Sequence, residues 1–257
     1  MSITLWYGRH PDQHARCFDP PTVGSKGVAV LIHGGYWRPQ FGADLMNPLA
    51  NSLIDRGWAV ANVEYRRVGG GGGWPTTIDD ARAALERVAT SSWRRRHDGP
   101  LVAIGHSVGG QLALLGGTVA DHIVALAPVT DCVRTDREGL GEDAAFSFFG
   151  MHADRAPAEY AAASPIRQLP VGVPTLLVHG TEDTRVPLDH TRTYADAARR
   201  AGDRVELRVL PGVDHFQLID PRSEAWTTVY RSVDDSADAG SERRFPTSSS
   251  RTKASDS

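Results

Sequence analysis

Cysteine is scarce in this chain, which has Cys17 and Cys132 and no others among its 257 residues. Two cysteines so far apart in sequence favour neither a disulfide framework nor a metal site, so we expect reduced thiols and no metal. Long apolar runs are also lacking, and none approaches the roughly 20 residues that span a bilayer. The first ten residues have no basic and apolar regions of the secretory type. We therefore expect a cytoplasmic protein with no membrane association.

An excess of charge of either sign is missing too, because the formal net charge is −3. A nucleic-acid interface needs a larger basic face than this chain offers. Its arginine clusters at residues 94–96 and 199–200 flank predicted helix ends, where cations interact favourably with the helix dipole. We expect a small-molecule partner and no nucleic acid, and the sequence leaves open a homodimer.

Short apolar runs alternate along the chain with helical patterns, which is typical of a parallel sheet with crossover helices. The predicted strands are residues 28–32, 59–65, 101–104, 123–127, 175–178 and 205–210. The predicted helices are residues 43–56, 77–91, 108–119, 189–201 and 223–233. The fold class is therefore predicted as α/β, with a mostly parallel central sheet and helices on both of its faces.

Two segments depart from this alternation. Residues 132–169 contain no clear strand but carry four aromatic residues, and so long an excursion from a compact domain is usually functional. Residues 234–257 are mostly small, polar or charged, a composition that buries too little apolar area to offset the entropy of ordering. We predict one domain over residues 1–233, with an excursion or cap at 132–169, and a disordered tail over 234–257.

The strongest motif is Gly105-His106-Ser107-Val108-Gly109, which lies between a predicted strand and a predicted helix. In a nucleophile elbow the serine occupies a strained turn, and the glycines let the backbone pass close to neighbouring elements. We predict Ser107 as the nucleophile.

A serine hydroxyl needs a base to take its proton and a carboxylate to orient that base. In this fold both follow the serine, with the acid first. Asp183 follows the strand at 175–178 and His215 follows the strand at 205–210, so we predict them as acid and base. Glu182 stays open as an alternative acid, and we expect Asp214 to be a solvated loop residue. His106 and His179 are predicted to be buried structural residues.

A tetrahedral intermediate needs hydrogen-bond donors for its oxyanion. The segment His33-Gly34-Gly35-Tyr36-Trp37 follows the first predicted strand. We assign the oxyanion hole to the N–H groups of Gly35, Tyr36 and Val108. Trp37, Phe148 and Phe149 are predicted to wall an apolar substrate pocket. The alternative for the phenylalanines is that they pack the excursion against the sheet.

Together, the segments 33–37, 105–109, 179–183 and 213–216 resemble the kynurenine formamidase (arylformamidase) and related carboxylesterase branch of the α/β-hydrolase superfamily. The likeness runs from about Tyr7 to Val233 and is most specific in Gly-Gly-Tyr-Trp and Val-Asp-His-Phe. It implies the same triad and oxyanion loop and no cofactor. The chain differs from the branch in Val108, where alanine is common, and in its tail.

These observations predict a serine hydrolase that cleaves small carboxylic esters or aryl formamides through an acyl-enzyme on Ser107. One alternative is a general short-chain carboxylesterase without formamidase activity. An acylaminoacyl-type peptidase carries a β-propeller ahead of this domain, for which we expect no room before Val28. A non-catalytic binding protein on the same fold commonly lacks a member of the triad, whereas this sequence supplies all three.

Overall fold

A computed structural model describes the backbone of residues 2–244 and the side chains of residues 2–234. Its sheet has eight strands in the order β1-β2-β4-β3-β5-β6-β7-β8. The strands are β1 (Ser2–Trp6), β2 (His14–Phe18), β3 (Val28–Ile32), β4 (Ala59–Glu64), β5 (Leu101–His106), β6 (His122–Leu126), β7 (Thr175–Gly180) and β8 (Val205–Leu210). From β4 to β8 all neighbours pair in parallel. The six strands predicted from the sequence are confirmed, with small shifts at their ends.

Alternation of side chains across the sheet separates two cores. Along β3, Val28, Val30 and Ile32 belong to one apolar cluster, whereas Ala29 and Leu31 belong to a second cluster on the other face. Successive side chains of a strand point to opposite faces, so a run that is apolar throughout predicts a strand covered on both sides. This is why β3 is a continuous apolar run.

The hairpin of β1 and β2 was missed by the sequence analysis. The two strands pair antiparallel, and β2 also pairs antiparallel with β4. Leu5, Ala15 and Cys17 are the buried residues of this hairpin. Strands with so few apolar positions, separated by polar residues, give a weak periodic signal.

Helices cover both faces of the sheet, as predicted. The α-helices are α1 (Asn47–Asp55), α2 (Thr76–Thr90), α3 (Val108–Gly116), α4 (Cys132–Arg137), α5 (Leu140–Phe149), α6 (Pro157–Ala163), α7 (Leu188–Arg200) and α8 (Glu224–Arg244). Helices α2, α3 and α7 contribute to the first cluster, and α1 and α8 contribute to the second. No helix within residues 2–244 is long and apolar enough to cross a membrane.

The excursion is helical, and its second helix begins irregularly. Helices α4, α5 and α6 occupy residues 132–169, and no strand is found there. Within α5 the backbone of Gly141, Glu142 and Asp143 has positive φ, as does Gly139 just before the helix. Non-glycine residues rarely adopt this left-handed region, and such outliers concentrate at functional sites.

The predicted start of the disordered tail at residue 234 falls inside helix α8. Helix α8 continues to Arg244, and the Asp234 carboxylate accepts hydrogen bonds from Trp58 Nε1 at 2.9 Å and from Lys26 Nζ at 2.7 Å. Trp58 and Lys26 are distant from Asp234 in sequence, and they hold α8 at the position where its composition becomes polar. The rest of the predicted tail, residues 245–257, lies outside the described residues.

Candidate active site

Ser107 lies at the sharp turn between β5 and α3. Its φ and ψ angles are 58° and −120°, a strained combination for a residue with a Cβ. The backbone on both sides is fixed, because Ser107 N–H donates to Leu126 O at 2.8 Å and Gly110 N–H donates to Ser107 O at 3.0 Å. The predicted strand, turn and helix of a nucleophile elbow are therefore present.

Two glycines permit the close approach of the elbow to β3 and the loop after it. A Cβ on Gly109 would lie 2.1 Å from the Ile32 carbonyl oxygen, and one on Gly34 would lie 2.9 Å from the His106 carbonyl oxygen. Real side chains do not tolerate such distances to backbone atoms. The loop after β3 can therefore run directly against Ser107.

The predicted acid and base are in contact. Asp183, beyond β7, accepts a hydrogen bond at Oδ2 from His215 Nδ1, beyond β8, at 2.6 Å. Oδ1 of Asp183 accepts from the backbone N–H groups of Arg185 at 2.8 Å and Val186 at 2.9 Å. The alternative acid, Glu182, is exposed, and its carboxylate accepts from Thr181 Oγ1 at 3.2 Å. The geometry therefore favours Asp183 over Glu182.

Asp183 is held as a carboxylate. Its burial acts to raise its pKa, but hydrogen bonds from His179 and His215, the charge of His215 and the Val186 N–H keep that pKa well below its ordinary value. An ionised carboxylate on Nδ1 orients the imidazole and leaves Nε2 to exchange protons.

The loop after β3 exposes backbone donors beside the elbow. Within residues 2–244, the N–H groups of Gly35, Tyr36 and Val108 have no hydrogen-bond partner. Gly35 has a φ of 111° and Tyr36 a φ of 50°, so the chain turns sharply at this point. Three free N–H groups around a serine fit the predicted oxyanion hole.

A buried ionic network fixes this loop to the end of β4. Glu64 Oε1 lies 3.0 Å from His33 Nε2 and 2.6 Å from Arg67 Nη1, while Oε2 accepts from Ala43 N–H at 2.9 Å. Burial acts to raise the pKa of Glu64, but the hydrogen bond and charge of His33 and the backbone donors lower it to about 2. These contacts anchor His33, the residue that precedes Gly34 and Gly35.

Ser107 and His215 share a cavity of about 320 Å³. Its walls come from five segments: the loop after β3, the elbow at Ser107, the turn before and into α5, the loop after Asp183 and the loop around His215. The lining residues are Gly35, Tyr36, Arg38, Phe41, Leu45, His106, Ser107, Gly139, Leu140, Gly141, Glu142, Thr184, Arg185, His215, Phe216 and Ile219.

Tyr36 and Arg38 join these walls across the cavity. The Tyr36 hydroxyl donates to the Arg185 carbonyl at 2.5 Å, and Arg38 donates to the Gly141 carbonyl and pairs with Glu142 at 3.1 Å. Burial, followed by the charge of Asp183, raises the pKa of Tyr36 to about 12. The hydroxyl therefore stays a neutral donor, and the left-handed segment at 139–143 is held over the site.

Residues 18–197, more than half of the chain, match the model of the BD-FAE family. The chain belongs to the BD-FAE family. This membership, together with the parallel sheet and the elbow, confirms the predicted α/β-hydrolase fold and its esterase branch.

This BD-FAE family member is similar to curated proteins and solved structures that are named esterase or lipase. Esterase LipC of Mycobacterium tuberculosis is 25% identical over 245 residues, which cover 83% of this chain and 59% of LipC. A monoacylglycerol lipase of Mycolicibacterium smegmatis is 25% identical, over 79% of this chain and 86% of the lipase. The esterase Est2 of Thermogutta terrifontis has a TM-score of 0.73 at 23% identity, covering 91% of this chain and 90% of Est2. The chain thus spans little more than half the length of LipC.

The structure contradicts the predicted pocket wall of this BD-FAE family member. Trp37 is buried, donates from Nε1 to Gln111 Oε1 at 3.1 Å and stacks on Phe148 with ring centroids 4.4 Å apart. Phe149 stacks on Tyr160 at 3.7 Å. None of the three predicted residues lines the cavity that contains Ser107. They pack the excursion against the sheet, which is the alternative that the sequence left open for the phenylalanines.

Three residues that the sequence analysis gave no role in the pocket contact the site. Phe216, which directly follows His215, lines the cavity with 54% of its surface exposed. Burial, then the charge of His215, keeps the pKa of His106 well below its ordinary value, and its Nε2 donates to the His215 carbonyl at 3.0 Å. His179 is buried as predicted but also touches Asp183. The position of Phe216 next to the predicted base was the available sequence signal.

Proposed function

We propose that this protein hydrolyses small carboxylic esters, with Ser107 as nucleophile, His215 as general base and Asp183 as the acid that orients it. The observation that carries the proposal is the 2.6 Å hydrogen bond from His215 to Asp183, beside a serine on a strained elbow in the same cavity. The esterase relatives support the same reaction.

The reaction takes place in two steps. Ser107 Oγ attacks the ester carbonyl carbon while His215 takes the hydroxyl proton, and the oxyanion accepts hydrogen bonds from Gly35, Tyr36 and Val108 N–H. His215 then gives the proton to the leaving alkoxide, which departs as an alcohol. In the second step water attacks the acyl-serine through the same base, and the acid is released.

The size of the cavity favours small substrates. About 320 Å³ lies at the lower end of the range for small-molecule sites. The Thermogutta esterase Est2 has been solved with propionate bound and with butyrate bound, which supports short acyl groups for this chain also. We expect kcat/KM to fall as the acyl chain lengthens from acetate to octanoate.

Aryl formamides are the narrower substrate class that we propose. The formyl group is the smallest acyl group, and the segments 33–37 and 213–216 resemble kynurenine formamidases. Phe216 and Tyr36 line the cavity, and an aromatic leaving group that packs on either ring would gain about 0.5–1.5 kcal/mol per pair. The general short-chain esterase without deformylation stays the second candidate, supported by the propionate and butyrate complexes.

A substrate panel with a nucleophile control tests both ester hydrolysis through Ser107 and the narrower formamidase activity. The purified protein is assayed on p-nitrophenyl acetate, butyrate and octanoate and on N-formylkynurenine, alongside Ser107→Ala. We expect the wild type to hydrolyse p-nitrophenyl acetate and the kcat of Ser107→Ala to be lower by several orders of magnitude. Failure of N-formylkynurenine to react at high enzyme concentration would remove the formamidase proposal alone. Equal turnover by Ser107→Ala, with contamination excluded, would remove the serine mechanism.

A further inference from the structure

His179, near the end of β7, lies directly behind the predicted acid. Its side chain is fully buried, and its Nε2 lies 3.1 Å from Asp183 Oδ2. It does not line the cavity that contains Ser107. Any effect of His179 on turnover must therefore pass through Asp183 or the loop that carries it.

The surroundings of His179 fix which ring nitrogen carries a proton toward Asp183. Nε2 faces two acceptors, the Asp183 carboxylate and the Val186 carbonyl oxygen at 2.9 Å. Nδ1 lies 2.7 Å from Thr191 Oγ1, a hydroxyl on α7 that can donate to it. With Thr191 as donor, the ring carries a proton on Nε2, where the Val186 carbonyl accepts it at 2.9 Å and Asp183 Oδ2 lies within reach at 3.1 Å.

His179 Nε2 faces the remaining acceptor position of the Asp183 carboxylate. Two carboxylate oxygens offer about four acceptor positions. Here Oδ1 accepts from Arg185 and Val186 N–H, and Oδ2 accepts from His215 and lies 3.1 Å from His179 Nε2. The Asp183 side chain is fully buried, so losing one donor would leave an acceptor position that bulk water does not reach.

We propose that His179 is a positioning residue: its Nε2–H, directed by Thr191 and shared between the Val186 carbonyl and Asp183 Oδ2, holds the Asp183 carboxylate in the orientation that His215 requires. The inference rests on the proposed function, in which Asp183 orients the base. It assigns to His179 a role in turnover beyond the filling of a buried site.

Replacing the donor tests this role. His179→Leu removes the Nε2–H donor and is expected to lower kcat on p-nitrophenyl acetate about 10- to 100-fold, the range found when the hydrogen-bond partner of a metal-ligating residue is removed. KM should change little, because the residue does not touch substrate. In His179→Gln the side-chain amide can still donate at the position of Nε2, so most of kcat should return. Thr191→Val removes the hydroxyl that keeps the proton of His179 on Nε2. It should give a smaller loss of kcat.

A neighbouring core variant separates positioning from stability. Leu177→Ala, on the same strand and buried, should lower Tm and leave kcat unchanged. If His179→Leu lowered Tm but kept the wild-type kcat, or if His179→Gln were as slow as His179→Leu, the proposal would be overturned. Should the leucine variant not fold, His179→Asn replaces it, because the shorter amide cannot reach Oδ2. The kcat of His179→Asn should then be low, whereas His179→Gln should keep most of the wild-type kcat.

A second readout does not depend on turnover. The downfield proton resonance of the bond between His215 Nδ1 and Asp183 should be lost or shifted in His179→Leu and kept in His179→Gln. An unchanged resonance in the leucine variant would contradict the positioning role. If the wild-type protein shows no turnover that depends on Ser107, that result contradicts the proposed function itself.

Discussion

The contact between Asp183 and His215 makes the identity of the acid testable with one substitution. Asp183→Asn keeps the shape of the side chain, but its amide can donate to Nδ1 and so favour the wrong tautomer of the imidazole. We expect kcat on p-nitrophenyl acetate to fall about 10⁴-fold, the effect of the same change in the triad of a serine protease.

Glu182→Gln is the matched control, because that side chain is exposed beside Asp183 and does not touch His215. It should retain near-normal kcat. A large loss in Glu182→Gln with little loss in Asp183→Asn would reverse the assignment of the acid.

Aromatic residues divide into two groups that substitution can distinguish. Phe148 is buried against Trp37, so Phe148→Ala should destabilise the fold by about 3–5 kcal/mol and leave the relative kcat/KM of small and aromatic substrates unchanged. Phe216 is half exposed in the cavity, so Phe216→Ala should leave Tm nearly unchanged and reduce the preference for aromatic substrates. Thermal melts and a two-substrate assay measure both, and a selectivity change in Phe148→Ala would return that residue to the pocket.

At the level of residues, the sequence predicted the chemical groups better than the pocket. Ser107, Asp183 and His215 each follow a strand that is a clear apolar run, and the ends of parallel strands meet at one edge of the sheet. The walls of a cavity depend on which face of a helix turns inward. Nothing in the spacing of Phe148 and Phe149 distinguishes a face toward substrate from one toward Trp37.

The connection between β4 and the loop after β3 has a pH dependence that follows from Glu64. Its pKa is about 2 in the folded protein against an ordinary 4.5, so the unfolded state binds its proton more tightly. The stabilisation is fully present above pH 4.5 and is lost as the pH falls toward 2. A shift of this size corresponds to about 3 kcal/mol.

Glu64→Gln should therefore lower Tm most at neutral pH, and its difference from the wild type should shrink between pH 4.5 and pH 2. Glu86→Gln, an exposed change on α2, serves as the control and should leave Tm unchanged throughout. A Glu64→Gln difference that stayed constant over this pH range would show that the stabilisation does not come from the charge of Glu64.

At the level of elements, prediction succeeded where local patterns were strong and failed where pairing over long distances decides. Strands β3 to β8 and the helices α1, α2, α3 and α7 are visible as apolar runs and helical periods, whereas the helices of the excursion at 132–169 were not predicted. The β1–β2 hairpin exists because β2 pairs with β4, a contact between residues about 45 positions apart that no local pattern encodes. The left-handed turn at 139–143 likewise depends on Arg38 from another loop.

At the level of the whole molecule, the second core joins α1, the sheet and α8. Trp226 and Val229 of α8 pack with Leu49 and Leu53 of α1, and Trp226 Nε1 donates to Ser52 Oγ at 2.9 Å. The last described helix is therefore part of the domain, and composition alone did not reveal where that part ends.

Two truncations separate the anchored end of α8 from the residues after it. Deleting 245–257 should leave Tm and kcat nearly unchanged, because a segment rich in serine and charged residues buries little apolar area. Deleting 234–257 also removes Asp234, which leaves the buried indole N–H of Trp58 unpaired. A buried donor without a partner costs about 1–3 kcal/mol, so Tm should fall by several degrees while KM is unchanged.

The point variant Asp234→Ala should reproduce most of that fall. Equal melting of both truncations would show that Asp234 does not stabilise the domain, and a drop after deleting 245–257 alone would show that those residues dock.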